Sequence, residues 1–143
     1  MKNLFKILAF TFFLTIVISC NNDDKPNPNV TYTTTLSGVK ETTPNTSMAT
    51  GTATLVFNTT TKTFVITVVH NVAGITMGHI HKGAAGSNGG VVYPLTTLAS
   101  PISYTSVALT VEQEGDLNAG LLYVNLHSAA FPGGEIRGNL VKK

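Results

Sequence analysis

Leu121-Leu122-Tyr123-Val124-Asn125-Leu126-His127 alternates aliphatic and polar side chains from its second residue onward. Successive side chains of a β-strand point to opposite faces. Leu122, Val124 and Leu126 therefore share one face, and Tyr123, Asn125 and His127 share the other. The stretch reads as a half-buried strand with a histidine at its end.

Working outward, short runs rich in Thr, Val, Ile, Tyr and Phe recur from Val30 onward, separated by turn residues. No run carries a sustained 3.6-residue apolar period, and β-branched residues disfavour helix. Strands are expected near residues 31–36, 50–57, 63–71, 75–82, 90–95, 104–111, 121–127 and 135–141. Residues 58–62 form a turn that makes 50–57 and 63–71 a hairpin. Residues 112–120 hold one short helical turn. About eight short strands predict an all-β domain, an immunoglobulin-like antiparallel β-sandwich or a partly open barrel. A domain of roughly 110 residues can bury an adequate core.

The densest chemistry lies in Gly78-His79-Ile80-His81-Lys82-Gly83, which runs into a glycine-rich loop ending at Gly90. His79 and His81 oppose Ile80 across the strand. In the last strand Ile136 and Leu140 oppose Glu135, Arg137 and Asn139. With the aliphatic sets on the core, His79, His81, Tyr123, His127, Glu135 and Arg137 are expected on one outer surface, provided the strands adjoin. His70 has the parity of Phe64, Ile66 and Val68 and is expected at a core edge.

A His-x-His pair on one strand projects two imidazoles the same way, and His127 would complete three ligands for one ion. Imidazoles suit zinc or copper, and Glu135 could orient a ligand ring from behind. The competing expectation is that the histidines bond to loop carbonyls and hold the glycine turns. Glu135 and Arg137 read as a surface ion pair, and Tyr123 as strand-face packing. Nucleophilic catalysis finds no support, because there is no Gly-x-Ser-x-Gly elbow and the single cysteine lies near the start of the chain. A phosphate-cradling Gly-x-x-x-x-Gly-Lys-Ser/Thr loop is also missing.

That cysteine, Cys20, follows a secretory pattern. Lys2 and Lys6 precede an apolar run over residues 7–18, too short for a comfortable membrane span. Residues 1–19 read as a signal peptide, and Val17-Ile18-Ser19-Cys20 resembles a bacterial lipobox with Cys20 as the lipidated residue. Residues 20–29 then form a polar, proline-bearing tether. Asp23-Asp24-Lys25 resembles the export signals of Bacteroidetes-type surface lipoproteins. Lipid anchoring at the outer membrane, on either of its faces, is the expected location. With Lys2 and Lys6 removed, the nine basic residues fall to seven and match the seven acidic ones. No basic stripe remains for nucleic acid.

Residues 30–143 resemble the CHRD (chordin-type) domain. The resemblance runs through Leu36-Ser37-Gly38-Val39-Lys40-Glu41 and Gly78-His79-Ile80-His81 with Gly83, Gly86, Asn88 and Gly89. It is strongest over Tyr123-Val124-Asn125-Leu126-His127-Ser128 and Gly134-Glu135-Ile136-Arg137-Gly138. It implies an immunoglobulin-like β fold and a non-enzymatic binding or structural role toward an extracellular or periplasmic protein or glycan. A looser similarity is to copper-zinc superoxide dismutase, another β-sandwich with a His-x-His strand. That enzyme's paired metal site needs more histidines than the four in this chain. The alternative function is a mononuclear copper or zinc protein using His79, His81 and His127.

Overall fold

The computed structural model describes residues 25–143. The expected signal peptide, Cys20 and the first part of the expected tether lie outside the described residues. Among those described, the regular structure is nearly all antiparallel strand: β1 Asn29–Ser37, β2 Thr50–Asn58, β3 Thr63–His70, β4 Ile75–Lys82, β5 Val91–Pro94, β6 Ile102–Thr105, β7 Leu122–Ser128, β8 Ile136–Asn139 and β9 Val141–Lys142. One α-helix, α1 (Val111–Asn118), interrupts them between β6 and β7. The all-β expectation holds, with hydrogen-bonded order β5-β4-β7-β8-β1-β2-β3-β6 and β9 paired to β1.

The sheet curls on itself. Phe64 of β3 meets Tyr93 of β5 edge-on at 5.2 Å between ring centres, and Tyr104 of β6 lies 6.1 Å from the same tyrosine. The two ends of the strand order thus close over a common core. Period-two alternation fills it: Leu55 and Phe57 from β2, Phe64, Ile66 and Val68 from β3, Ile80 from β4, and Leu122, Val124 and Leu126 from β7 are all buried. Full burial of each such Leu, Ile or Phe contributes about 1.5–3 kcal/mol. The expected hairpin is present, with Phe57 directly opposite Phe64.

Beyond shifts of one or two residues, three elements differ from expectation. The sixth strand ends at Thr105 rather than continuing to Val111. The Ser106 hydroxyl accepts from the Phe64 N–H at 2.8 Å, in the position a strand carbonyl would occupy. The expected single helical turn is the eight-residue α1. Thr110 caps it, accepting from the Gln113 N–H while Gln113 Oε1 accepts from the Thr110 N–H. This reciprocal cap satisfies two otherwise orphaned donors and sustains a helix whose only buried residue is Leu117. The last strand breaks at Leu140, whose N–H returns to Leu122 O, leaving β8 and β9 as separate pieces.

The larger correction concerns the polar face of β7. Every residue of β7 is buried, Tyr123, Asn125 and His127 included. β4, β7 and β8 are neighbours as the shared site requires, but their polar face is no outer surface. Two segments fold over it: the glycine-rich loop after β4, and the stretch after β1 that opens with a 3-10 turn at Gly38–Lys40. Arg137 Nη2 donates to Ala84 O at 3.0 Å and Ser87 O at 2.7 Å, and Asn139 Nδ2 donates to Gly83 O at 3.0 Å. Asn45 Nδ2 donates to Glu135 O at 3.1 Å from the other side.

Candidate metal centre

β4 and β7 pair with His79 opposite Asn125 and His81 opposite Tyr123, while His127 lies opposite Met77. All three imidazoles therefore project from one face of two adjacent strands. Their ring centres are separated by 5.3 Å (His79–His81), 5.2 Å (His79–His127) and 6.5 Å (His81–His127). One nitrogen from each lies within 4.8 Å of the others.

Backbone carbonyls decide which nitrogens remain free. His81 Nδ1 is 3.0 Å from Gly89 O, and His127 Nδ1 is 3.0 Å from Pro132 O. A carbonyl only accepts, so each Nδ1 carries the proton and each Nε2 keeps a lone pair. His127 Nε2 faces His79 Nδ1 at 3.4 Å. His81 Nε2 is buried with no hydrogen-bond partner. The available donor set is thus His79 Nδ1, His81 Nε2 and His127 Nε2. Two nitrogens bound tetrahedrally at 2.0–2.1 Å from one ion lie about 3.3 Å apart, close to the His79–His127 separation.

Electrostatics favours the ligating form. Burial, reinforced by His127 and His81, holds the His79 imidazole below its ordinary range. His81 is also held down, by burial first. The Gly89 carbonyl opposes that shift, and His127 and Arg137 add to it. Neutral imidazoles near pH 7 are what a metal ion needs. An isolated buried nitrogen such as His81 Nε2 costs stability unless something occupies it.

The glycine loop supplies the carbonyl that fixes His81, and only glycine can do so. A Cβ on Gly89 would lie 1.5 Å from Lys82 O. The Gly89 N–H donates to the Tyr123 hydroxyl at 3.1 Å. One residue therefore fixes both members of a stack, because the His81 and Tyr123 rings lie 6° from parallel with centres 4.9 Å apart. Arg137 places its guanidinium carbon 3.5 Å from the centre of the Tyr123 ring. The expectation that Tyr123 packs along the strand face holds, and the partners it packs between are these two.

Glu135 and Arg137 do not form the expected surface ion pair. Arg137 is 1 % exposed and Glu135 7 %, and among the described residues the ion pairs are Lys62–Glu114, Lys82–Glu112 and Lys82–Asp116. Glu135 Oε1 accepts from the Ser47 hydroxyl at 2.7 Å. The carbonyls of Gly89 and Pro132 fill the ring-orienting role expected of Glu135. His70 stands at the end of β3 as expected and takes no part.

Two residues not singled out from the sequence complete the buried polar layer. Asn125 Nδ2 donates to Glu41 Oε2 at 3.2 Å. Burial is the largest influence on Glu41 and raises its carboxyl above the ordinary range, with Asn125 and Arg137 acting the other way. The signal for Asn125 was its parity with His127; Glu41 stood only within the Leu36–Glu41 segment of the family resemblance, and alternation gave it no place because it reaches the site from a segment outside the sheet. A cleft of about 430 Å³ opens here, with Glu41, Asn88, Pro132 and Gly134 among its walls. A larger, more apolar groove of about 520 Å³ lies beside His70 and Val69. None of the three clustered histidines lines the cleft or the groove.

No curated protein and no solved structure matches the chain. A family model does, running from within β1 through the end of β8 and taking in the three histidines, the glycine loop and Arg137. That model is the CHRD domain, matched over residues 32–140, and the chain belongs to this family.

Proposed function

We propose that the protein is a non-enzymatic binding module that holds one copper or zinc ion through His79, His81 and His127. One observation carries this reading: three imidazole nitrogens converge within 4.8 Å, two of them freed for a metal by carbonyls on the opposite ring nitrogen. A purely structural set of histidines would have no reason to leave His81 Nε2 buried and unbonded. The secretory and lipobox-like pattern ending at Cys20 supports anchoring in the cell envelope by acyl chains rather than by a span.

Metal analysis of protein purified without a histidine tag tests the first part. His79→Ala/His81→Ala is expected to lose copper and zinc affinity by at least about 100-fold, and unchanged affinity would end the proposal. For the anchor, Cys20→Ala should lose both acyl label and membrane partitioning. Retention of both would refute it.

A further inference from the structure

Three imidazoles do not by themselves choose between zinc and copper, or between the two charges of copper. The surroundings of the site differ from those of an ordinary divalent centre in carrying a fixed positive charge. Arg137 from β8 and His81 from β4 reach Tyr123 from opposite sides, since β4 and β8 flank β7. Guanidinium, phenol ring and imidazole thus form one continuous stack, with steps of 3.5 Å and 4.9 Å. Arg137 is 1 % exposed and belongs to none of the ion pairs among the described residues. Its Nε and Nη1 have no partner. A guanidinium does not lose its proton in a protein, so this charge is permanent.

The nearby carboxylates do not join the histidines. Glu135 Oε1 accepts from Ser47 and Glu41 Oε2 from Asn125. Burial raises the Glu41 carboxyl above its ordinary range, while Asn125 and Arg137 act to lower it.

Resting on the metal-binding reading above, we propose that the site is selective for the monovalent cuprous ion. Three neutral imidazoles supply the donors, and the buried Arg137 penalises a divalent occupant more than a monovalent one. Arg137 is hydrogen-bonded to none of the three histidines and acts on the occupant by its charge, across the Tyr123–His81 stack. Adding the reach from His81 to an ion to the 3.5 Å and 4.9 Å steps of the stack gives a separation on the order of 10 Å, at which one unit of charge in an effective dielectric of about 20 changes the ratio of cuprous to cupric affinity roughly tenfold. Burial limits the screening of this effect by salt.

The test compares the wild-type chain with Arg137→Lys and Arg137→Gln. Both variants disturb the contact in which Nη2 donates to the Ala84 and Ser87 carbonyls, and only the second loses the charge. Cuprous affinity is measured anaerobically under ascorbate against a cuprous-selective chromogenic chelator. Cupric and zinc affinities are measured by parallel competition titrations. Wild-type protein should take Cu(I) ahead of Zn(II), and its Cu(I)-to-Cu(II) affinity ratio should fall roughly tenfold in Arg137→Gln but less than about threefold in Arg137→Lys. An equal fall in both variants would make Arg137 a loop fastener only and overturn the inference. If circular dichroism finds the variants unfolded, the wild-type order decides: Zn(II) ahead of Cu(I) overturns it. Wild-type protein that binds none of the three ions refutes the metal site itself, a different result from binding without cuprous preference.

Discussion

His70 and the three clustered histidines belong to the same curled sheet but meet it in opposite ways. His70 Nε2 lies 3.0 Å from Leu98 O, and its Nδ1 accepts from the Val72 N–H at 3.2 Å. Both nitrogens are engaged by backbone, and nothing remains for a ligand. In the cluster the backbone engages one nitrogen of His81 and one of His127, and the remaining nitrogens turn toward one another and His79. The difference comes from the connecting loops. At the end of β3 the Val72 N–H engages one ring nitrogen and the Leu98 carbonyl of a separate segment engages the other, whereas the loops after β4 and β7 offer a single carbonyl each. A histidine becomes a ligand here when its surroundings bond half of it.

That contrast can be broken most directly by adding metal to His70→Ala and to the wild type. An ion at 1,000 times its dissociation constant should stabilise both by about 4 kcal/mol in urea unfolding. Without metal, His70→Ala should lose about 1–2 kcal/mol, because the Val72 N–H and the Leu98 carbonyl lose their partner. A loss of metal stabilisation in His70→Ala would erase the distinction between the two environments.

Acidification sharpens the comparison by a smaller amount. The folded values for His79 and His81 lie below the ordinary histidine value of 6.5, so the unfolded chain binds protons first as pH falls. Stability of the metal-free protein should therefore be intact above about pH 7 and decline as pH falls through 6.5 toward the depressed folded values. His79→Ala/His81→Ala should flatten this part of the profile. Denaturant midpoints collected between pH 8 and pH 5 provide the check, and an unchanged slope in the double variant would contradict the assignment.

Much of the fold was legible because it depends on local alternation. Leu122, Val124 and Leu126 had to share a face, and the same parity grouped Tyr123, Asn125 and His127 correctly. What alternation cannot reveal is what lies above a face. The glycine loop and the segment holding Glu41 and Asn45 cover this one through long-range hydrogen bonds, so residues expected on the outside are buried. Arg137 illustrates the limit: an arginine on a strand's polar face reads as solvated until two carbonyls and an aromatic ring take the place of water. The sixth strand failed for a different reason. Its sequence suits a strand, but the Ser106 side chain closes the ladder where the chain leaves the sheet.

β1 also has a direction that matters. It begins at Asn29, just after the tether, and ends at Ser37, which pairs with Arg137. Eight extended steps separate those residues, about 26 Å. An acyl anchor at Cys20, as proposed, would hold the Asn29 pole beside the bilayer and raise the histidines to the opposite pole. Ions would then arrive from the open compartment, clear of the headgroup layer.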